Sequence, residues 1–316
     1  MGRGGPSVRP IKIGLVGVGM IARSQHIPAL RENPGFRLEA CASRNGRVEG
    51  IDNFPSLESM LDAHPDLDAI TICTPPQAHY DAARMALMRG KHVFLEKPPC
   101  ATTAQLDHLA RLAGQSNRSL LQSWHSRHAA AVNAARTQLA GRTARAIQIT
   151  WKEDVRQWHP GQEWIWQSGG FGVFDPGINA LSILTEILQD AVFVTEARLY
   201  VPENCEAPIA ADLLLSTDAR AQISAQFDFR HTGLQTWDID IETDTGTLKL
   251  AEGGNQLFAD GRPVAVGVTE SEYASLYRHF ADLVAKGTSD VDARPFQLVA
   301  DAFLLGTRVT VDRFDP

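Results

Sequence analysis

Apolar positions recur along this chain in two rhythms, and the change between them falls near residue 142. Residues 11–16 form a short, largely apolar run bounded by glycine, as expected of a strand buried in a parallel sheet. Helical spacing through Ile21, Ile27 and Leu30 predicts a helix over 20–32, and Asn33-Pro34-Gly35 stops it. A second strand follows over 36–43. The pattern then gives a short helix over 56–63, a strand over 68–73 closed by Thr74-Pro75-Pro76, a helix over 77–89 ended by Gly90, and a strand over 92–95. One more helix and strand come at 102–114 and 120–124. Such alternation predicts an α/β architecture, a doubly wound parallel sheet with right-handed crossovers.

Beyond residue 142, strand-like segments follow one another at 144–152, 192–201, 219–229, 237–243 and 247–250. Turn signals at Asp244-Thr245-Gly246 and Asp260-Gly261 separate the later ones. Consecutive strands predict a mainly antiparallel open sheet, so this part reads as α+β. Helices predicted over 178–188, 270–286 and 295–309 cover one face of that sheet or return to the first domain, the last helix above all. The expected division is a Rossmann domain over 1–126 and a C-terminal α+β domain over 127–316.

The first turn carries chemistry. Gly17-Val18-Gly19-Met20-Ile21-Ala22 fits G-x-G-x-x-A directly after a predicted strand and at the start of a predicted helix. Gly17 allows the tight turn, Gly19 lets the backbone approach a pyrophosphate, and Ala22 is small enough for close helix–strand packing. Met20 and Ile21 open the helix whose amides face the phosphates. These residues predict a bound nicotinamide dinucleotide. The end of the second strand separates its two forms. Glu39 falls inside that strand, while the loop reads Ser43-Arg44-Asn45 with Arg47 beyond. A hydroxyl and a guanidinium suit a 2′-phosphate, so NADP is the preferred cofactor, with NAD as a second.

Composition narrows the class further. With 44% hydrophobic and 21% charged residues among 316, the chain has a globular profile. A net charge of −7 argues against a nucleic-acid partner, because phosphate binding needs a basic face. Cys41, Cys73, Cys100 and Cys205 are scattered with no metal-binding spacing, which fits small buried hydrophobes in a reducing cytoplasm. No apolar run is long enough to span a bilayer. The Gly/Arg/Pro-rich first ten residues read as a mobile tail without the apolar core of a signal peptide.

Two stretches, Thr74-Pro75-Pro76-Gln77-Ala78-His79 and Gly90-Lys91-His92-Val93-Phe94-Leu95-Glu96-Lys97-Pro98, resemble the Gfo/Idh/MocA family of oxidoreductases. The resemblance covers nearly the whole chain. Through Ser43-Arg44, Trp124-His125-Ser126-Arg127, Trp151-Lys152-Glu153-Asp154-Val155, Trp158-His159-Pro160-Gly161-Gln162 and Asp175-Pro176-Gly177-Ile178-Asn179-Ala180 it is most similar to a bacterial group. That group oxidises L-arabinose or D-galactose at C1. The resemblance implies that Thr74, Pro75, His79, Glu96 and Lys97 join the cofactor site. It also implies that Glu153, His159 and Asn179 bind a sugar, while His125, Trp158 and Trp237 read either as further sugar contacts or as core. Many family members carry a histidine base where this chain has Asn179, which cannot act as a base near neutral pH; the aldose group is similar in having asparagine there.

Lys97 lies just past the end of a parallel strand, where ligands sit in such sheets. Its ammonium suits polarisation of the C1 oxygen. Asp175 is the candidate general base, a role that calls for burial because aspartate is a weak base in water. Two alternatives stay open: Lys97 relays the proton while Asp175 holds it, or Asp175 caps the helix that begins near Pro176. Four of six tryptophans lie between Trp151 and Trp166, and aromatic faces suit the C–H side of a pyranose as well as a core. The activity implied is oxidation of an aldopyranose to its aldonolactone. Rival readings are a same-fold oxidoreductase acting on another polyol or a dihydrodiol, and a non-catalytic sensor of sugar and dinucleotide. An exposed sheet face often pairs in the family, which allows a homodimer through the C-terminal sheet.

Overall fold

Six short strands, β1 (Ile11–Val16), β2 (Phe36–Ala42), β3 (Asp52–Phe54), β4 (Ala69–Ile72), β5 (His92–Leu95) and β6 (Leu120–Gln122), pair in the order β3-β2-β1-β4-β5-β6. Every pair is parallel. They belong to a computed structural model that describes residues 9–267 and 270–315, so the predicted tail lies outside the described residues up to position 8. The order reverses direction at β1, the point where a doubly wound sheet opens its crevice. This is the predicted Rossmann sheet.

The connecting helices follow their capping chemistry. α1 (Ile27–Glu32) continues a π-helical turn, Ala22–His26, so residues 20–32 are helical as expected. α2 (Leu57–Ala63) starts where Ser56 Oγ accepts from the Ser59 amide at 3.2 Å, and α3 (His79–Met88) follows a 3₁₀ turn. α4 (Thr103–Gln115) is capped by Thr102, whose hydroxyl oxygen accepts from the Gln105 amide.

The first compact unit holds the described residues through Ser123 and, from much later in the chain, Tyr273–Asp292. The reason is the apolar stripe of the Glu272–Lys286 helix. Tyr273, Leu276, Tyr277, Phe280 and Leu283, spaced at helical intervals, join Ile13, Leu30, Phe36 and Phe94 in one buried cluster.

The second unit comprises Trp124–Glu272 and the residues from Ala293 onward. α5 (Val132–Leu139) precedes β7 (Ala144–Lys152), and α6 (Val155–Trp158) and α7 (Phe174–Ile187) follow it. Seven further strands come next: β8 (Val192–Pro202), β9 (Ala210–Thr217), β10 (Gln222–Asp228), β11 (Thr236–Thr243), β12 (Gly246–Ala251), β13 (Gln256–Ala259) and β14 (Arg262–Pro263). The chain then runs through α8 (Glu272–Lys286), α9 (Arg294–Leu305) and β15 (Thr307–Val311). The nine strands order as β14-β13-β12-β11-β7-β10-β9-β8-β15. Only β7–β10 and β8–β15 are parallel, so the sheet is mainly antiparallel, as predicted.

One face of this sheet carries Ile147, Ile149, Ile223, Phe227, Leu213, Leu215, Ile239 and Ile241, all buried. α7 sits against it closely enough that a Cβ on Gly177 would lie 3.0 Å from the Phe227 ring. The helix predicted over 295–309 is shorter than expected. It ends at Leu305, and the Thr-Arg-Val-Thr-Val run becomes β15 beside β8. β-branched residues favour the strand, and a side chain on Gly306 would clash with the Ala302 carbonyl and Leu199.

Candidate active site

The glycine turn after β1 forms one wall of a cavity of about 560 Å³ in the first unit. Gly17 has φ +87°, and a Cβ there would meet Thr74 N at 2.9 Å, so both backbone and space require glycine. Gly19 is different: a Cβ would meet no protein atom within 4 Å. Its bareness serves the cavity, as a pyrophosphate approaching the backbone needs. Thr74 Oγ1, also on the cavity wall, is buried with no hydrogen-bond partner. These features fit a bound dinucleotide.

The opposite wall is the loop after β2. Ser43 Oγ accepts from the Gly46 amide at 3.1 Å and the Val18 amide at 3.4 Å, clamping this loop to the glycine turn. Gly46 allows that contact, since a Cβ would come within 2.6 Å of Val18. Arg44 is exposed and lines the cavity, and no carboxylate is among the lining residues. Glu39 is the extra residue of a β-bulge: Ile13 pairs with Leu38 and Gly14 with Ala40, and the Glu39 carboxylate is bound by Arg37. Met20, half-exposed, and Ile21 open the helix next to Gly19.

His79, fully buried, bridges two loops. Its Nδ1 faces the Pro99 carbonyl at 3.2 Å and its Nε2 the Thr74 carbonyl. Burial lowers the imidazole's pKa against the pull of these carbonyls. Pro75, also on the cavity wall, begins the turn that leads to it. Lys97, partly buried, follows β5 and precedes Pro98 through a cis peptide.

Beneath Lys97 lies a buried polar chain that composition and motif did not reveal. Glu96 Oε2 accepts from the Lys97 amide at 2.6 Å, while Oε1 accepts from Tyr273 Oη at 2.6 Å and faces His26 Nε2 at 3.1 Å. His26 Nδ1 lies 2.8 Å from Tyr277 Oη, which in turn lies 3.1 Å from Thr71 Oγ1. One tautomer satisfies every partner: Thr71 donates to Tyr277, Tyr277 to Nδ1, and Nε2–H to Glu96. Glu96 is thus held by its own unit, at 3% exposure.

In the second unit, the segment after β7 is fixed to β10 by the Glu153 amide donating to the Asp228 carbonyl at 3.0 Å. Asp154 then caps α6, which ends at His159. This turn brings five predicted residues together: Glu153, Trp158, His159, Asp175 and Trp237. Glu153, 3% exposed, places Oε1 3.0 Å from His159 Nε2 and accepts from Trp237 Nε1 at 2.8 Å on Oε2. His159 Nδ1 lies 3.4 Å from Asp175 Oδ2, and Asp175 is 4% exposed. Trp237 stacks on Trp151 at 6.0 Å and meets the partly exposed Trp158 edge-on at 4.9 Å. Asn179 lies one helical turn beyond Asp175, on the same side of α7.

Asp175 is not an N-cap. α7 begins at Phe174 with Val173 in the cap position, so Asp175 already lies within the first turn, its amide donating back to the Gly172 carbonyl. His125 rides on a separate 3₁₀ turn, its Nδ1 2.6 Å from Glu272 Oε2. Among residues not singled out from sequence, Arg23 lines the dinucleotide cavity, and Gln122 Oε1 and Ser123 Oγ are buried without partners at the end of β6. Arg23 directly follows the fingerprint alanine, a signal available in the sequence.

The family model for the Gfo/Idh/MocA oxidoreductases, described as having an NAD-binding Rossmann fold, matches residues 11–123. The galactose 1-dehydrogenase of Pseudomonas fluorescens is 48% identical over 307 residues, covering 97% of this chain and 99% of that protein. The chain belongs to the Gfo/Idh/MocA family. It is therefore an oxidoreductase with a nicotinamide dinucleotide as cofactor. A solved structure of this family, a D-galactose-1-dehydrogenase protein from Rhizobium etli, is 51% identical with a TM-score of 0.93, covering 98% of this chain and 99% of its own. The 3-ketoreductase KijD10 of Actinomadura kijaniata shares the fold at a TM-score of 0.82 and 20% identity, covering 96% of this chain and 99% of its own. Among the described residues, no helix is long and apolar enough to cross a membrane, and no His/Cys/Asp/Glu group could hold a metal ion.

Proposed function

We propose that this chain oxidises an aldopyranose, D-galactose or L-arabinose, at C1 to the aldonolactone, with NADP preferred over NAD. The observation that carries this reading is the extent of the similarity to galactose 1-dehydrogenase. It runs through the second unit, beyond the dinucleotide-binding part that the whole family shares.

Oxidation removes a hydride from C1 and a proton from its hydroxyl. The bound nicotinamide ring supplies the hydride acceptor. Lys97 Nζ hydrogen-bonds the C1 oxygen and stabilises negative charge as the proton leaves. Asp175 takes that proton, or the lysine relays it; Asp175 is buried at 4% exposure with His159 Nδ1 3.4 Å from its Oδ2. Asn179 and His159 meet ring hydroxyls, and Trp158 and Trp237 offer apolar faces to the C–H side of the sugar. Glu153 and His125 add to these contacts. On the cofactor side, Gly17, Gly19, Met20 and Ile21 take the pyrophosphate and Ser43 and Arg44 the 2′-phosphate. Thr74, Pro75, His79 and Glu96 shape the loops around it.

L-Arabinose and D-galactose share the pyranose configuration and differ by a hydroxymethyl group at C5. D-Glucose differs at C4 and would leave a buried partner unpaired, a loss of about 1–3 kcal/mol. NADPH formation, followed by absorbance over a sugar panel, should be clear with galactose and arabinose and at least several-fold poorer with glucose and xylose. Equal kcat/KM for glucose and galactose would overturn the substrate assignment. Two copies pair through the open face of the nine-stranded sheet, where Phe193 and Leu214 are about half exposed; sedimentation of Leu214→Glu as an unchanged species would refute this.

A further inference from the structure

We propose that Arg23 is a second specificity-determining cation for the cofactor's 2′-phosphate, acting with Arg44. The proposal rests on the NADP preference put forward above.

The cavity between the glycine turn and the loop after β2 is lined by two guanidinium-bearing residues, Arg23 and Arg44, and by no acidic side chain. They come from different elements. Arg44 sits on the loop after β2, whereas Arg23 sits one residue beyond the fingerprint Ala22, in the π-helical turn. Arg23 is also tethered: its Nη2 donates to the Arg47 carbonyl at 3.2 Å, three residues further along the same loop than Arg44. That bond uses one of five N–H groups and restrains a side chain that would otherwise lose much rotamer freedom on binding.

A 2′-phosphate carries nearly two negative charges and three acceptor oxygens, more than one exposed arginine satisfies. Ser43 does not fill the gap alone, because its oxygen already accepts from two amides and it has only its own hydrogen to donate. A second planar fork, oriented by the Arg47 carbonyl, supplies the missing charge and donors. NAD has a neutral hydroxyl in that place and gains little from either arginine.

Dissociation constants for NADPH and NADH, measured by quenching of intrinsic tryptophan fluorescence, test this without reference to turnover. Arg23→Leu should weaken NADPH at least tenfold, about 1.4 kcal/mol, and change NADH less than twofold. Arg23→Lys should recover part of the NADPH affinity, since the charge returns without the fork. The NADPH affinity of the wild type should also fall more steeply with salt than that of Arg23→Leu. Equal weakening of both cofactors would place Arg23 on the shared pyrophosphate or adenine and overturn the proposal, as would no change in either. Arg44→Leu separates the two levels of argument. If Arg44→Leu is selective against NADPH and Arg23→Leu is not, only the role of Arg23 fails. If the wild type shows no preference and neither variant is selective, the NADP reading itself fails.

Discussion

Removing the Tyr277 hydroxyl tests the buried chain beneath Lys97. Tyr277 is fully buried; its ring stacks on Phe94 at 4.9 Å and meets Phe36 edge-on at 5.3 Å. Tyr277→Phe keeps that packing and deletes only the oxygen that links His26 and Thr71. Burial pushes the phenol's pKa well up, so the native hydroxyl keeps its proton to donate. The variant leaves His26 Nδ1 without a donor and the Thr71 hydroxyl without an acceptor. Each orphaned buried group costs about 1–3 kcal/mol, and Thr71 can recover part by turning to its own backbone, so the expected loss is about 2–3 kcal/mol. Urea denaturation should show this as a midpoint lowered by roughly 1 M with an unchanged slope. Tyr80→Phe is the control. Its hydroxyl bonds His108 in a partly exposed setting, and its loss should cost under about 1 kcal/mol. Because the chain ends on Glu96 and the Lys97 amide, kcat should fall in Tyr277→Phe while the dissociation constant for NADPH holds. A stability loss below about 0.5 kcal/mol, with full kcat, would refute the account of the network.

Lys97→Met and Asp175→Asn should each lower kcat by more than about a hundredfold at unchanged NADPH affinity; an Asp175→Asn enzyme with most of the wild-type rate would leave Asp175 as an anchor only. Asp228 gives a pH test: burial pushes its carboxyl up, but the two-point contact with Arg230 and the Arg230 amide overcome this and hold it below the usual range. A lowered folded pKa stabilises above the unfolded value, about 3.9, and that stability is lost as pH falls through the folded one. Arg230→Ala should therefore cost under about 1 kcal/mol near pH 7 and flatten the decline in stability below pH 4; an unchanged profile would discount the pair.

The parallel sheet was legible because strands buried on both faces read as apolar runs, and glycine or proline punctuates each. Ile11–Val16 and His92–Leu95 were bounded to the residue. β9 escaped notice because Leu213-Leu214-Leu215 is a run with no alternation in residue type. The alternation exists only in burial, with Leu214 on the open face and its neighbours inside. α5 was missed for a related reason: Val132, Ala135 and Leu139 give too sparse a stripe to stand out. β3 and β14 are too short to carry a period. The fingerprint turn and the Glu-Lys-Pro segment were legible as motifs, but not the bulge at Glu39. That bulge ends any pairing argument about which acidic residue closes the second strand, since it shifts the register by one.

The motif residues divide by a criterion that sequence does not carry. Glu96 and Glu153 have the residue type and position of reactive groups, yet each is 3% exposed with both carboxylate oxygens already engaged. Glu96 grips the amide of Lys97 next to it, and Glu153 grips His159, which faces Asp175. In each unit a buried carboxylate immobilises a neighbour whose chemistry is proposed to act on substrate, an arrangement that fixes geometry before binding. Substituting either glutamate should therefore behave differently from substituting the group it holds. Glu153→Gln keeps the size and one acceptor oxygen, and the displaced amide can still meet Trp237 or His159 but not both as acceptors. The loosened His159 should raise KM for the sugar and lower kcat together, while Asp175→Asn lowers kcat with KM little changed. A Glu153→Gln enzyme with wild-type KM and kcat would show that the carboxylate serves the core alone, and would leave His159 positioned by Asp175 and the Phe229 ring.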